Sequence, residues 1–318
     1  MRFLVIGGGS WGTAFAALLV EQNHEVTLAC RDADQVAGIR ETARNPRYLN
    51  DADLTGLAAV EMAAMDVEAT DILVFALPSR ALAEVAAQIK GNTPALILTK
   101  GLDPITGGRP SELVGDRPVA VLGGPNHAEE LVAGLPAAAV VASTDTELAE
   151  RLQDAIHSTR FRIYLNHDLV GVEFCAAAKN VIALAAGAVD GLELGDNAKA
   201  ALMSRGLAEM ARLAAACGAR GETFSGLAGM GDLVGTCSSR HSRNRRAGEL
   251  VAQGATLAEA QERIGMVVEG MSTAPVLRRL GQELDIELPI TEAVCAVLSG
   301  GRIEELVSSL LARRPTRE

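Results

Sequence analysis

The stretch FLVIGGGSWGTAFAALLVEQ, residues 3–22, decides the fold of the N-terminal half. A short apolar strand runs into a glycine cluster that satisfies the pattern G-x-G-x-x-G at Gly7, Gly9 and Gly12, and a helix follows. In this pattern the first glycine permits a tight turn, the second lets a pyrophosphate approach the backbone, and the third allows the helix to pack closely on the strand. A glycine-rich turn without a ligand is the alternative, but the position between a strand and a helix favours dinucleotide binding.

The rest of the first half alternates short apolar runs with Ala/Leu-rich helical stretches. Strands that are buried on both faces of a parallel sheet are continuously hydrophobic, and six runs have this character. We expect strands at Phe3–Ile6, Glu25–Ala29, Ile72–Phe75, Ala95–Leu98, Val119–Leu122 and Ala138–Val141, and helices at Gly12–Gln22, Ala81–Ile89 and Thr146–Ile156. This order predicts an α/β fold with a Rossmann-type, doubly wound and mostly parallel sheet.

The second half has almost no strand signal and predicts a C-terminal all-helical domain. Helices are expected at Leu169–Gly187, Ala198–Gly218, Asn244–Ala252, Leu257–Ile264, Met271–Leu284 and Pro289–Ser299. The change in composition predicts a dinucleotide-binding domain over residues 1–168 and a helical substrate domain over residues 169–318, with the helix after Asp168 either in the second domain or shared by both. The polar tail Arg313–Glu318 is predicted to be frayed.

Composition narrows the classes of function. The formal charge of −11 and the pI near 5.1 argue against a general nucleic-acid role, because such a surface repels polyanions. The five cysteines are scattered without metal-site or disulfide spacing and predict reduced thiols in a cytoplasmic protein. The N-terminus lacks the pattern of a signal peptide, and the longest apolar runs are shorter than the ~20 residues of a membrane span. We therefore expect a protein that is neither exported nor embedded in a membrane.

The end of the second strand is where NAD and NADP are distinguished. An acidic residue there accepts hydrogen bonds from the ribose 2′-hydroxyl of NAD, whereas an arginine neutralises the 2′-phosphate of NADP. Arg31 comes first and Asp32 follows it. The order favours NADPH, with NADH tolerated, over the alternative of an exposed Arg-Asp turn without a ligand.

One lysine lies in an unusual setting. The helical segment EFCAAAKNVIA, residues 173–183, places Lys179 among small and apolar side chains. An amine on an apolar helical face is costly to bury as a cation, and its pKa can fall toward neutrality, which suits a general acid or base. A surface lysine whose charged end reaches solvent at the edge of the apolar face fits the spacing equally well.

Several motifs in one order resemble those of the bacterial NAD(P)-dependent glycerol-3-phosphate dehydrogenases over nearly the whole chain. The motifs are GGGSWGTA at 7–14, ALPSR at 76–80, TKGLD at 99–103, GGPNHAEE at 123–130, AAAKNVIALAAG at 176–187, DGLELGDNAKAAL at 190–202, GLAGMGDLVGTC at 226–237, SRNRRAG at 242–248 and VVEG at 267–270. The resemblance implies an oxidoreductase that reversibly reduces dihydroxyacetone phosphate to sn-glycerol 3-phosphate and supplies glycerophospholipid synthesis.

The resemblance also implies roles for individual residues. The catalytic group would be Lys179 as general acid and base, with Lys100, Asp232 and Asn180. The residues implied to bind the cofactor are Gly7, Gly9, Ser10, Trp11, Gly12, Arg31, Lys100, Ala128, Arg243, Val267 and Glu269. Those implied to bind the substrate are Lys100, Gly124, Asn126, Lys179, Asp232, Ser242, Arg243 and Asn244. No metal is implied, and a homodimer is a further expectation.

The chemistry of residues 242–244 agrees with these roles. A phosphate needs a cationic donor fork with neighbouring N–H or O–H groups, and Ser242, Arg243 and Asn244 at the start of a predicted helix supply them. The alternatives for the cluster Arg240–Arg246 are a solvated basic turn and a nucleic-acid patch. Substrate phosphate is favoured, because an acidic protein has little reason to concentrate arginines in one loop.

One segment departs from the family pattern. Asn126 and His127 stand where the family more often has a hydroxyl residue followed by an aromatic residue. We interpret His127 as a satisfied loop histidine rather than a catalytic imidazole. Two other functions stay open from the sequence: a different lysine-dependent hydroxyacid dehydrogenase, and a dinucleotide sensor without catalysis.

Overall fold

A computed structural model describes residues 1–304 and 307 of the chain, so the tail predicted to be frayed at 313–318 lies outside the described residues. Its first half is one eight-stranded sheet with helices. In chain order the elements are β1 (Arg2–Ile6), α1 (Ser10–Glu21), β2 (Glu25–Cys30), α2 (Ala33–Thr42), β3 (Ala58–Glu61), β4 (Ile72–Phe75), α3 (Ser79–Ala87), β5 (Ala95–Ile97), α4 (Pro110–Leu113), β6 (Val119–Gly123), α5 (Ala128–Val132), β7 (Ala137–Ala142), α6 (Thr146–Ile156) and β8 (Phe161–Asn166).

The sheet order is β3-β2-β1-β4-β5-β6-β7-β8, and among these strands only β6 and β7 pair antiparallel. The fold class predicted from the sequence is therefore confirmed. The order reverses direction on either side of β1, and ligands of open α/β sheets bind at such a switch point, beyond the carboxyl ends of the strands. The loops after β1, β4, β5 and β6 all open at this edge.

All six predicted strands are present, and two strands were missed. Both β3 and β8 lie at the edges of the sheet, where a strand has a neighbour on one side only. In β8 Phe161 and Ile163 are buried while Arg162 and Tyr164 are exposed, so the run alternates and lacks the continuous apolar signal of the central strands. Helix α2 was also missed; the side chain of Asp32 caps it by accepting a hydrogen bond from the backbone of Asp34.

After Asn166 the described residues form helices and loops, as the sequence predicted. The helices are α7 (Leu169–Gly191), α8 (Gly195–Ala216), α9 (Gly221–Ser225), α10 (Asp232–Ser238), α11 (Arg243–Ala252), α12 (Leu257–Ile264), α13 (Glu269–Glu283) and α14 (Pro289–Leu298), with one π-helical turn at Leu227–Gly231. The segment 221–238 was not predicted as helical, since its glycines obscure the pattern. The predicted division at residues 168 and 169 stays a prediction.

Helix α7 is the axis of the second half. All but a few of its 23 residues are buried, and its first turn also packs on the sheet through Leu169 and Val172. By length and composition it passes a test for a membrane span, but 83% of its most apolar window is buried inside the fold, as in a core helix. The helix is therefore weak evidence for a membrane.

Glycines let neighbouring helices reach the backbone of α7. A Cβ atom on Gly187 would lie 1.8 Å from the carbonyl oxygen of Arg245, and one on Gly248 would lie 1.9 Å from the carbonyl oxygen of Leu184. Helix α13 approaches in the same way, because a Cβ on Gly270 would lie 2.5 Å from the carbonyl oxygen of Asn180. These contacts fix α11 and α13 against the part of α7 that carries Lys179 and Asn180.

We predict that Gly187→Ala destabilises the protein, because the added methyl group meets backbone rather than a movable side chain. The expected loss is about 2–3 kcal/mol, or a melting temperature lower by roughly 5 °C or more. Differential scanning calorimetry measures the effect. Gly221→Ala is the matched control, because its Cβ would have no heavy atom within 4 Å. Equal melting temperatures for the two variants would contradict this account of the helix packing.

Candidate active site

The glycine loop after β1 has the geometry of a phosphate cradle. Gly7 has φ +117°, and a Cβ there would lie 2.4 Å from the carbonyl oxygen of Ala76. At Gly12 a Cβ would lie 2.0 Å from the carbonyl oxygen of Gly7, whereas at Gly9 it would meet nothing within 4 Å. The first and third glycines are thus required by packing, and the space in front of the second is open.

The N-terminus of α1 faces this open space. Its N-cap residue, Gly9, offers no side chain to the free N–H groups of the first turn, which attract a phosphate. The carbonyl of Gly8 is held from the other side by the side chains of Gln35 and Asn45. The buried indole Nε1 of Trp11 has no hydrogen-bond partner among the described residues. An open cradle and an orphaned donor fit a bound dinucleotide.

At the end of β2, Arg31 and Asp32, the two residues predicted to distinguish NADP from NAD, have different surroundings. Arg31 is exposed. The carboxylate of Asp32 lies 2.6 Å from a guanidinium nitrogen of Arg47 and also caps α2. Hydrogen bonding to Arg47 lowers the pKa of Asp32, so this carboxylate is charged and already engaged.

Lys179 is buried, with 4% of its surface exposed, which rules out a surface lysine that reaches solvent. Its ammonium group donates a hydrogen bond to Oδ1 of Asp232, the first residue of α10. Thr236, one turn later, donates to the same oxygen over 3.3 Å. The other oxygen, Oδ2, is buried without a hydrogen-bond partner among the described residues.

Lys100 follows β5 and lies beside this ion pair. Its Nζ donates hydrogen bonds to the carbonyl of Gly124 over 3.2 Å and to Oδ1 of Asn126 over 2.6 Å, and it is 3.7 Å from Oδ2 of Asp232. The same nitrogen lies 5.8 Å from the centre of the Trp11 ring. Burial lowers the pKa of Lys100 to about 7; Asp232 opposes the shift and Lys179 adds to it.

Two asparagines connect the lysines to the helices behind them. The amide of Asn180 donates to the carbonyls of Lys100, over 2.8 Å, and Ala176, and its oxygen accepts a bond of 2.9 Å from Asn244. The oxygen of Asn244 in turn accepts from the backbone N–H of Gly270. Both donor hydrogens of Asn180 are therefore used within the protein, whereas the Asn244 amide retains one.

The arginine cluster divides between two roles. Ser242 is the N-cap of α11, and its hydroxyl accepts from the backbone N–H of Arg245. The guanidinium of Arg245 is tied to Asp190 at 2.6 Å, and Arg246 is exposed. Arg243 lines the cavity, and its side chain makes no hydrogen bond or ion pair with the described part of the chain. It is therefore available to an anionic ligand.

Glu269 joins the two halves behind the glycine loop. Its carboxylate accepts hydrogen bonds from the backbone N–H of Ser79, over 3.1 Å, and from the hydroxyl of Ser79, over 2.7 Å. Burial raises the pKa of Glu269, and the Ser79 hydrogen bonds oppose that shift. Helix α13 is thereby attached to the start of α3, at the edge of the sheet where the loops open.

These groups surround one cavity of about 220 Å³ at the switch point of the sheet. The predicted site residues that line it are Gly9, Ser10, Trp11, Gly12, Lys100, Asn126, Ala128, Lys179, Asn180, Asp232, Ser242, Arg243, Asn244, Val267 and Glu269. Gly7, Arg31 and Gly124 do not line it, although the Gly124 carbonyl binds Lys100. Within the described ranges, no group of three or more His, Cys, Asp or Glu side chains is arranged to hold a metal ion.

The sequence did not point to several other residues that line the cavity. They are Tyr48, Glu129, Thr236, His241 and Met266, and His127 lines it although we interpreted it as a loop histidine without a functional role. Thr236 lies four residues after Asp232, a spacing that puts both on one face of a helix, but it could be found in this way only if the helix itself were recognised. That helix was hidden among glycines, so its spacing carried no signal.

Comparison with known proteins gives a consistent result over the whole length. Residues 3–149 match the family model described as NAD-dependent glycerol-3-phosphate dehydrogenase N-terminus, and residues 168–308 match the corresponding C-terminus model. A glycerol-3-phosphate dehydrogenase (NAD(P)+) of Moorella thermoacetica is 44% identical over 324 residues, which cover 99% of this chain and 96% of that protein. One from Thermoanaerobacter sp. is 44% identical over 327 residues, covering 100% and 99%. The crystal structure of the glycerol-3-phosphate dehydrogenase of Coxiella burnetii superposes with a TM-score of 0.94 at 37% identity, covering 98% and 99%.

The state of Lys100 predicts a pH dependence of cofactor binding. Because its pKa is lowered to about 7, the amine loses its charge as the pH rises through 7, and its attraction for a negatively charged dinucleotide in the same cavity falls with it. We expect the affinity for NAD+, whose own charge is constant between pH 6 and 8.5, to fall roughly tenfold over that range. The affinity is measured from the quenching of tryptophan fluorescence by NAD+, since Trp11 is the single tryptophan of the chain. Lys100→Arg keeps its charge and should flatten the curve; an equal slope in both proteins would contradict this role.

Proposed function

Since the chain belongs to the family of NAD-dependent glycerol-3-phosphate dehydrogenases, we propose that Lys179 is the general acid and base of its reaction. The chain is an NAD(P)-dependent oxidoreductase that reversibly reduces dihydroxyacetone phosphate to sn-glycerol 3-phosphate. The observation that carries the assignment of Lys179 is its buried ion pair with Asp232, in the same cavity as the glycine loop and Arg243. We propose that the product, sn-glycerol 3-phosphate, supplies glycerophospholipid synthesis.

The chemistry follows from the arrangement of charges. A bound reduced nicotinamide supplies the hydride. Lys179 gives a proton to the carbonyl oxygen of the substrate as hydride reaches the carbonyl carbon, and it takes the proton back in the reverse direction. Asp232 holds the amine in place, and the charge of Lys100, 3.7 Å from Asp232, stabilises the developing alkoxide.

The phosphate of the substrate is bound by Arg243 with Ser242 and Asn244. The support is the guanidinium of Arg243, which makes no hydrogen bond or ion pair with the described residues, and the unused amide hydrogen of Asn244. Asn126 adds a further donor, because its buried Nδ2 has no partner in the described structure. Gly124 acts through Lys100, and Asn180 acts by fixing the backbone of Lys100.

For the cofactor, we propose binding by the glycine loop with Ser10, Trp11, Ala128, Val267 and Glu269, and a preference for NADPH. The preference is supported by the exposed Arg31 and by Asp32, whose carboxylate is already paired with Arg47. A free carboxylate at this point would favour the 2′-hydroxyl of NADH. Residues 1–168 form the cofactor-binding domain and residues 169–318 the helical substrate domain in this proposal.

The two alternative functions have less support. A hydroxyacid dehydrogenase that acts on a carboxylate does not need the phosphate-binding group of Ser242, Arg243 and Asn244. A sensor has no need of a lysine and carboxylate buried together in the cofactor cavity. The cytoplasm is the proposed location, supported by five cysteines without a disulfide among the described residues. A homodimer is also proposed, and sedimentation velocity tests it.

A substrate panel tests the function. Purified protein is mixed with NADPH or NADH and with dihydroxyacetone phosphate, unphosphorylated dihydroxyacetone or a 2-oxoacid, and the absorbance of the reduced cofactor is followed. We expect turnover that is fastest with dihydroxyacetone phosphate and NADPH. Cofactor binding without turnover of any substrate, or a preference for the oxoacid, would overturn the proposal.

We predict that Arg243→Ala strongly weakens binding of the substrate phosphate. Loss of a charge-assisted contact to a buried dianion is expected to raise the KM for dihydroxyacetone phosphate by about 100-fold, with a smaller effect on kcat. Arg246→Ala is the matched control, since Arg246 lies on the same helix but is exposed. Equal KM values for the two variants would remove Arg243 from the phosphate site.

A further inference from the structure

Two histidines that have no role in the reaction described above meet at the cavity. His127 is the N-cap residue of α5 and follows Asn126, whereas His241 directly precedes Ser242 at the start of α11. Both side chains line the cavity, and their ring centres lie 6.1 Å apart with the planes tilted by 45°. Loops from the sheet half and the helical half thus bring an imidazole pair to the side of the cavity that holds Arg243.

The surroundings of His127 are largely cationic. Burial lowers the pKa of His127, the charges of Lys179 and Lys100 lower it further, and a hydrogen bond to the backbone of Gly235 and the charge of Glu130 oppose the shift. The hydrogen bond to Gly235 places His127 against α10, and Pro125, two positions earlier, also approaches Gly235, at 3.3 Å from where its Cβ would be. A dianion that enters the cavity would oppose this lowering of the pKa, since its negative charge favours the protonated imidazole.

His241 faces a different set of groups. Its ring lies 3.4 Å from Nε of Arg240, and its backbone N–H donates to the hydroxyl of Ser239. Arg243, two positions further along the chain, lines the same cavity, and the acidic side chains that line it are Glu129, Asp232 and Glu269. The buried Nδ2 of Asn126, without a partner in the described structure, is independent evidence that a ligand with acceptor atoms completes this region.

We propose that His127 and His241 bind the substrate phosphate together with Arg243, and that one of the two imidazoles takes up a proton from solvent when the dianion binds. The inference rests on the proposed function and adds two phosphate-binding residues to it. Two imidazolium rings this close would repel each other, so we expect only one of the two rings to carry the added proton. The substrate is thereby recognised by its doubly charged phosphate, and a neutral analogue gains nothing from the pair.

The test compares phosphorylated and unphosphorylated substrate in the double variant His127→Asn/His241→Asn. At pH 7 we expect the kcat/KM for dihydroxyacetone phosphate to fall about tenfold more than that for dihydroxyacetone, through KM rather than kcat. The KM for NADPH should change by less than about twofold. His167→Asn is the matched control, because His167 is exposed and does not line the cavity.

A second readout counts the proton. Calorimetric titration of wild-type enzyme and double variant with inorganic phosphate at pH 7, in two buffers of different ionisation enthalpy, gives the net proton exchange of each protein. The monoanion loses a proton to either protein when it binds as the dianion, so we expect the wild type to take up more protons, or to release fewer, than the double variant. Lys100 is present in both proteins, so the difference in proton uptake reports the removal of the histidines, including their coupling to Lys100. If the double variant does not fold, His241→Asn carries the same measurements, since that ring is only half-buried.

The outcomes of these experiments distinguish a failure of the histidine proposal from a failure of the proposed dehydrogenase function. Equal losses with the two substrates, or equal proton uptake in wild type and variant, would overturn the histidine pair while turnover by the wild type leaves the dehydrogenase intact. If the wild type reduces no dihydroxyacetone phosphate with either cofactor, both fail.

Discussion

The arrangement depends on one buried ion pair, between the amine of Lys179 and the carboxylate of Asp232. A charged amine in the middle of an apolar helix is costly unless an opposite charge and hydrogen bonds accompany it. Helix α10 supplies the carboxylate, and Thr236 on the same helix bonds to it. The rest of the helical half can be understood as the packing that keeps these two elements together in a water-poor interior.

That packing requires small residues at fixed places. Gly187, Gly248 and Gly270 let α11 and α13 contact the backbone of α7, which brings Asn244 within 2.9 Å of Asn180. From there Asn180 reaches across to the carbonyl of Lys100 in the sheet half. The proton donor, the cofactor loop and the anion site are therefore connected through backbone contacts and through hydrogen bonds of the asparagine side-chain amides, rather than through long flexible side chains. Such rigid support is what positions catalytic groups accurately.

Much of this could be predicted from the sequence, and the exceptions have physical causes. The glycine loop and the six central strands were predicted correctly, because burial on both faces leaves a continuous apolar signal. The edge strand β8 alternates and was missed, the edge strand β3 has only four residues and was missed as well, and α10 was hidden by glycines. The burial of Lys179 could not be decided from spacing alone, because a snorkelling lysine has the same helical neighbours. Likewise, Arg243 and Arg245 look alike in sequence, and only the fold shows that Arg245 is tied to Asp190 while Arg243 faces the cavity.

The measurement that tests the central claim most directly is single-turnover reduction of dihydroxyacetone phosphate by NADPH in Lys179→Met, with Lys199→Met as control. Lys199 is also paired with a carboxylate, Asp190, but lies outside the cavity. If Lys179 delivers the proton, the rate in its variant falls by about 10³-fold while Trp11 quenching shows cofactor affinity close to that of the wild type, and the control stays within about threefold. A Lys179 variant that reduces the substrate as fast as the control would contradict the account.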